Sequence, residues 1–326
     1  PTDAVDPGAL QEEPGSSLYP EWDHRRGFYR DNWVRVRESV APSGSSSAAY
    51  REALRIHRAL QAQIRRQFER IAPETLKRIR GVREGEDLDI DAAIDALADL
   101  REGVPPREDV YITRRKEKRD VAVIFLVDLS SSTWLSVDTG HEHRKILEIE
   151  RESLSLLIEP LVTLGDQFGM YGFSGTGRDD VRFVVIKGLE EQVSPEVIAR
   201  LDALRPIQTT RMGGAIRHAA TKLRGLNAST RLLVIISDGR PFDLEYGQQY
   251  GKGAANDYAI SDTRAAIDEV RALGVRPFLL TVDSNGRDYL RTMCNGLDYE
   301  VLANVADLPA RLASLYGHLT AKASSG

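Results

Sequence analysis

Hydrophobic positions follow different patterns on the two sides of Asp120. Beyond it, unbroken apolar runs alternate with longer amphipathic stretches. Residues 121–127 and 232–236 are continuous apolar runs rich in β-branched side chains, the form of strands buried on both faces. Residues 168–173, 181–186, 275–282 and 299–302 read as further strands. Residues 144–164, 195–204, 213–223, 258–273, 286–294 and 308–319 carry helical spacing, with Gly274 closing the fourth of these. Strands alternating with helices predict an α/β fold: a doubly wound, mostly parallel sheet.

Before Asp120 the pattern is shorter and more polar. Residues 1–17 are acidic and rich in Pro and Gly, a flexible lead-in. Trp22 and Trp33 lie close together in a polar stretch and need somewhere to bury, so this segment is expected to strap across the next domain. Residues 41–49 have linker composition. Leu54, Ile56, Leu60, Ile64 and Phe68 predict one amphipathic helix over residues 50–71, ended before Pro73. A short strand at 87–90, a helix at 91–100 and a strand at 110–113 follow. Arg114–Arg119 holds five basic residues in six, read as a solvated approach to the core strand rather than a phosphate-binding patch. The expected organisation is a lead-in (1–17), an N-terminal, mainly helical extension (18–119), the α/β domain (120–320) and a tail (321–326).

Charge and composition narrow the function. With 44 basic and 49 acidic residues the net charge is −5, so the basic excess of a nucleic-acid binder is missing. The single cysteine, Cys294, excludes a disulfide framework or a Cys-rich zinc site and is expected to be buried and inert. No apolar run reaches the roughly 18 residues of a membrane span. The acidic start is the opposite of a signal peptide, and a cytoplasmic location is expected. The first residue is Pro rather than Met, which suggests a piece of a longer protein.

Chemistry is sought beyond the carboxyl ends of the strands, where such sheets bind ligands. The first buried run is followed by Asp128-Leu129-Ser130-Ser131-Ser132-Thr133, the second by Ser237-Asp238-Gly239, and Thr209-Thr210-Arg211-Met212-Gly213-Gly214 opens a helix between them. Each piece alone has an ordinary explanation as an Asx turn, a turn pair or a helix cap. Together they place two carboxylates (Asp128, Asp238) and three hydroxyls (Ser130, Ser132, Thr210) at strand and helix ends. Hard oxygen donors without His or Cys suit Mg²⁺, with Mn²⁺ and Ca²⁺ as alternatives, and argue against zinc. Such a set leaves a coordination place for a carboxylate from another molecule.

These three clusters resemble the metal-ion-dependent adhesion site of a von Willebrand factor A domain, and residues 165–174 resemble that family's next strand. The resemblance covers about 200 residues from Asp120 to Leu319. It implies that Asp128, Ser130, Ser132 and Thr210 bind Mg²⁺, and that Asp238 binds directly or through water. Thr133 stands where many members carry Met, which is not a ligand position. A narrower resemblance rests on Tyr19-Pro20-Glu21-Trp22-Asp23, residues 86–93, Arg211-Met212-Gly213-Gly214-Ala215-Ile216-Arg217-His218, Asp262-Thr263-Arg264 and residues 277–283. These segments look like the NorD/CbbO group, the nitric-oxide-reductase activation proteins and rubisco-activase subunits. That group implies an adaptor which pairs with a MoxR-type AAA+ ATPase and presents its metal site to a client enzyme.

Other readings are weaker. A metal-chelatase subunit typically carries Asp-x-Ser-Gly-Ser-Met, where this chain has Ser131 and Thr133. An aspartate-based phosphohydrolase usually has a second Asp two positions on, where this chain has Ser130, so no catalysis is expected. No Gly-x-x-x-x-Gly-Lys-Ser/Thr run provides an ATP site. Thr176 breaks a Gly-x-Ser-x-Gly elbow. His141-Glu142-His143 reads as solvated, and His218 as a hydrogen-bonded packing residue.

Overall fold

The computed structural model of the chain describes residues 8–44, 46–71, 76–116, 120–138, 143–251, 255–281, 287–294, 296, 299–302 and 304–321. Its internal contacts divide it into two compact units, residues 1–68 with 120–326, and residues 69–119. The elements run β1 (Ser16–Asp23), β2 (Phe28–Val40), α1 (Ala48–Ile56), α2 (Arg58–Ile71), β3 (Leu76–Val82), β4 (Asp87–Leu88), α3 (Ile90–Arg101) and β5 (Tyr111–Lys116). They continue with β6 (Val121–Asp128), β7 (Ser136–Asp138), β8 (His143–Lys145), α4 (Ile146–Leu164), β9 (Gln167–Gly175), β10 (Val181–Lys187) and α5 (Pro195–Asp202). Then come α6 (Met212–Arg224), β11 (Thr230–Ser237), α7 (Leu244–Tyr250), α8 (Ala255–Ala272), β12 (Arg276–Thr281), α9 (Arg287–Cys294), β13 (Tyr299–Val301) and α10 (Leu308–Ala321).

Eight strands of the larger unit form one sheet in the order β1-β2-β10-β9-β6-β11-β12-β13. The pairs β2/β10, β9/β6, β6/β11, β11/β12 and β12/β13 are parallel, while β1/β2 and β10/β9 are antiparallel. All of β6 is buried because helices cover both faces. On one face Ala122, Ile124 and Leu126 share a core cluster with Ala215, Ile216 and Ala219 of α6. On the other, the Phe125 ring meets Tyr316 of α10, with centroids 6.2 Å apart. The register pairs Val127 with Ile236, so Asp128 and Ser237 follow side by side at the ends of β6 and β11. The expected α/β class and mostly parallel sheet are what the chain adopts.

The smaller unit is a three-stranded antiparallel sheet, β3-β5-β4, with α3. The short strand and the helix expected at 87–90 and 91–100 are β4 and α3. The expected division fell at Asp120, whereas residues 18–68 group with the α/β unit and residues 69–119 form a unit of their own.

Two expectations change. The aromatic N-terminal segment does not lie across the domain but enters its sheet as the hairpin β1–β2, so the extension is less helical than expected. Its strand character is masked by charge: Glu21, Arg30 and Arg35 interrupt the apolar period yet are buried. The helix expected over residues 50–71 is two helices broken at His57, whose imidazole Nε2 lies 2.8 Å from Glu152 Oε2 on α4. Among the described residues no helix is long and apolar enough to cross a membrane. Residues 117–119 of the basic run, His141 and Glu142, the stop at Pro73, Asp283 and residues 322–326 of the tail lie outside the described residues.

Candidate metal centre

The site begins where β6 ends. Asp128 is 1% exposed, and its Oδ1 accepts the Ser130 backbone N–H at 2.8 Å, turning the chain off the strand. A single 3-10 turn over Ser131–Trp134 follows, closed by the Thr133 hydroxyl donating to the Ser130 carbonyl at 2.8 Å. Leu129 packs where Gly172 leaves room; a Cβ on Gly172 would lie 2.3 Å from its Cδ1. Backbone bonds from Ser131 N–H to the Gln208 carbonyl and from Ile207 N–H to the Leu129 carbonyl, both 2.7 Å, tie this turn to the loop that carries Thr210.

All five residues singled out from the sequence come together. Ser130 Oγ and Ser132 Oγ are 2.8 Å apart, and Ser132 Oγ donates to Asp238 Oδ1 at 3.0 Å. Thr210 Oγ1 stands 3.4 Å from both carboxylate oxygens of Asp128. Two further residues bear on the site, Ser237 by a hydrogen bond and Glu150 by its charge, and sequence reasoning missed both. The Ser237 hydroxyl donates to Asp128 Oδ2 at 2.8 Å. Glu150 on α4 is 1% exposed, and its Oε2 has no hydrogen-bond partner. Its place on the buried stripe Ile146, Glu150, Ser153, Leu157 was the available signal, since a charge on such a stripe needs a reason.

Burial and like charge dominate the electrostatics of the two buried carboxylates, Asp128 and Glu150. Burial, followed by the negative charge of Asp238, pushes the Asp128 carboxyl up to about 7 against the hydrogen bonds of Ser237 and Ser130. Burial, then Asp238 and Asp128, holds Glu150 well above the usual carboxylate range. Among the described residues no Lys or Arg pairs with Asp128. The donors are hard oxygens throughout, so the residues present fit a hard divalent cation. His218 lies apart from them: its Nδ1 is 2.8 Å from the Tyr19 hydroxyl and its Nε2 is 2.8 Å from Glu38 Oε2, as expected of a packing histidine. Cys294 is a buried free thiol.

A parallel sheet flanked by helices, with this polar cluster at the end of its central strand, defines a class, and the comparison of sequences agrees with it. The chain belongs to the von Willebrand factor type A domain family, which matches residues 122–317. It is 34% identical over 321 residues to Protein NorD of Brucella melitensis, covering 97% of this chain and 47% of that protein. It is 33% identical over 284 residues to Protein NorD of Stutzerimonas stutzeri, covering 87% of this chain and 44% of that protein. The chain thus spans about half the length of the curated relatives it matches. Among solved structures, the PilB minor pilin from Streptococcus sanguinis shares the fold, with a TM-score of 0.51 at 16% identity over 68% of this chain and 67% of the pilin.

Proposed function

We propose that the chain is a metal-dependent binding module rather than an enzyme. Asp128, Ser130, Ser132, Thr210 and Asp238 would hold Mg²⁺, which would supply a coordination place for a carboxylate of a client protein. One observation carries this reading: Ser130, Ser132, Thr210 and Asp238 converge with a buried carboxylate, Asp128, that no described Lys or Arg neutralises. A divalent cation supplies the missing charge, and hydroxyl donors leave part of that charge for an incoming anion.

The rim supports a protein partner over a small solute. Trp134 (49% exposed) and Leu135 (63%) follow the Ser130–Ser132 turn, and Phe242 (48%) and Leu244 (59%) follow the Asp238 loop. The Thr210 N–H donates to the Phe242 carbonyl at 2.8 Å, which keeps that apolar loop beside the site. Exposed apolar side chains around a polar centre are the anatomy of a contact surface. Similarity to NorD proteins favours a client of the nitric-oxide-reductase type, with a rubisco-type client the other branch of the same reading. A separate MoxR-type AAA+ ATPase supplies the work of remodelling.

The test is a binding titration between this chain and its client or ATPase, in Mg²⁺ and in EDTA, with wild type and Asp128→Ala. Both EDTA and the substitution are expected to weaken binding at least tenfold. Unchanged affinity in both, with circular dichroism showing a folded variant, contradicts the proposal.

A further inference from the structure

Thr210 is placed by its neighbours rather than by its own hydroxyl. Its Oγ1 contacts to Asp128 are 3.4 Å, longer than the 2.7–2.8 Å typical of O–H···O bonds. On one side, Thr209 exchanges backbone bonds with Gly175 at 2.9 and 3.0 Å. On the other, Arg211 is 0% exposed and forks onto Glu21 of β1, Nε to Oε1 at 2.9 Å and Nη2 to Oε2 at 2.8 Å. Its third nitrogen, Nη1, donates to Glu245 Oε2 at 2.7 Å, and its guanidinium lies 4.4 Å from the centre of the Tyr246 ring. Glu21, itself 0% exposed, also accepts from the hydroxyls of Tyr246 and Tyr258, at 3.2 and 3.4 Å.

The next residue of β1 repeats the link. The Trp22 N–H donates to Asp262 Oδ1 at 2.9 Å. Asp262 lies so close to the start of α6 that a Cβ on Gly213 would sit 2.0 Å from its Oδ2. A Cβ on Gly214 would sit 2.8 Å from Val34 Cγ1 of β2. Two successive residues of β1, and one of β2, therefore hold the segment that begins with Thr210.

We propose that Glu21 and Arg211 are positioning residues of the metal centre, so that the hairpin β1–β2 supports the site through the residue next to Thr210. The inference rests on the metal-binding reading above. A planar guanidinium with three nitrogens occupied fixes the direction of its own backbone, and Thr210 is the residue before it. Mg²⁺ demands near-ideal octahedral geometry at about 2.0–2.1 Å, so a shift of a few tenths of an ångström at Thr210 lowers affinity. Buried ion pairs contribute little net stability when compared with packed apolar residues, which makes geometry the better account of this one.

The test is Mn²⁺ binding to the full 326-residue chain by electron paramagnetic resonance, with amide hydrogen exchange at residues 209–211. The variants are Glu21→Gln and the double substitution Glu21→Met/Arg211→Met, which removes both charges and refills their volume. Glu191→Gln, which breaks the half-buried Arg200 pair elsewhere, is the control. Wild type and control are expected to bind Mn²⁺ alike. The Glu21 variants are expected to bind at least tenfold more weakly, with faster exchange at 209–211. The double variant answers the question where Glu21→Gln fails to fold. Affinity within twofold of wild type in either folded Glu21 variant overturns the positioning role and leaves the metal centre standing. Failure of wild type itself to bind Mn²⁺ overturns both.

Discussion

Two groups of buried carboxylates flank the Thr210–Arg211 step, and they differ in what balances them. Behind it, buried Glu21 and Asp262, with half-buried Glu269 beside them, face arginines: Arg211 forks onto Glu21, and Arg217 meets Asp262 at 2.9 Å and Glu269 at 2.8 Å. Burial opposes the charge of Arg211, yet Glu21 and its neighbours keep the guanidinium protonated well beyond its usual range. In front of it, Asp128 and Glu150 have hydroxyls, backbone or nothing for partners. The first group has its cation built in; under the proposed function, the second would receive one from outside.

Removing a resident cation breaks the comparison from the balanced side and carries the largest effect. Arg211→Ala leaves Glu21 buried and unpaired, and urea unfolding is expected to show a loss of about 3–5 kcal/mol. A loss below about 1 kcal/mol contradicts the balanced picture.

Removing a surplus charge from the other side acts in the opposite direction. Glu150→Gln keeps the shape and removes an acid whose ionised form burial disfavours, so the urea midpoint in EDTA is expected to rise by the equivalent of about 1 kcal/mol. The same substitution is expected to reduce the stabilisation gained from Mg²⁺. Destabilisation in EDTA would place Glu150 among the satisfied groups instead.

The smallest effect sharpens the paired side through pH. His218 first, and Lys222 after it, hold the Glu38 carboxyl down to about 2, against an ordinary 4.5, while burial opposes them. A depressed carboxylate stabilises the fold above its unfolded value and loses that contribution as pH falls through its folded value. Glu38 is 36% exposed, so solvent screening limits the effect to about 1 kcal/mol. Glu38→Gln is expected to be less stable than wild type at pH 6, with the difference fading between pH 4.5 and 2 in thermal melts. A constant difference across that range contradicts the assignment.

What was legible in the sequence was local. The buried run before Asp128, the Asp-x-Ser-x-Ser turn and the Ser237-Asp238-Gly239 turn each act within a few residues, and parallel pairing of β6 with β11 does the rest. Ser237 was hidden because its hydroxyl looked like part of a turn, whereas its partner, Asp128, lies 109 positions away. The hairpin was hidden for the same reason. Glu21 reads as a solvated charge until Arg211, 190 positions on, is placed against it. His57, at the break between α1 and α2, likewise meets a distant partner, Glu152, 95 positions on. Periodicity finds elements whose burial is apolar; it misses those whose burial is made by distant ion pairs.

The central claim is that Asp128 is built to carry its charge beside a divalent cation. Thermal unfolding of wild type and Asp128→Asn, each in EDTA and in saturating Mg²⁺ at pH 7.5, tests it most directly. In EDTA the substitution is expected to stabilise by about 1 kcal/mol, because a buried, unneutralised charge is removed. In Mg²⁺ at about 100 times Kd, wild type is expected to gain about 2.7 kcal/mol and to overtake the variant. Melting curves for wild type that do not move with Mg²⁺, or a variant that gains as much as wild type, would contradict the account.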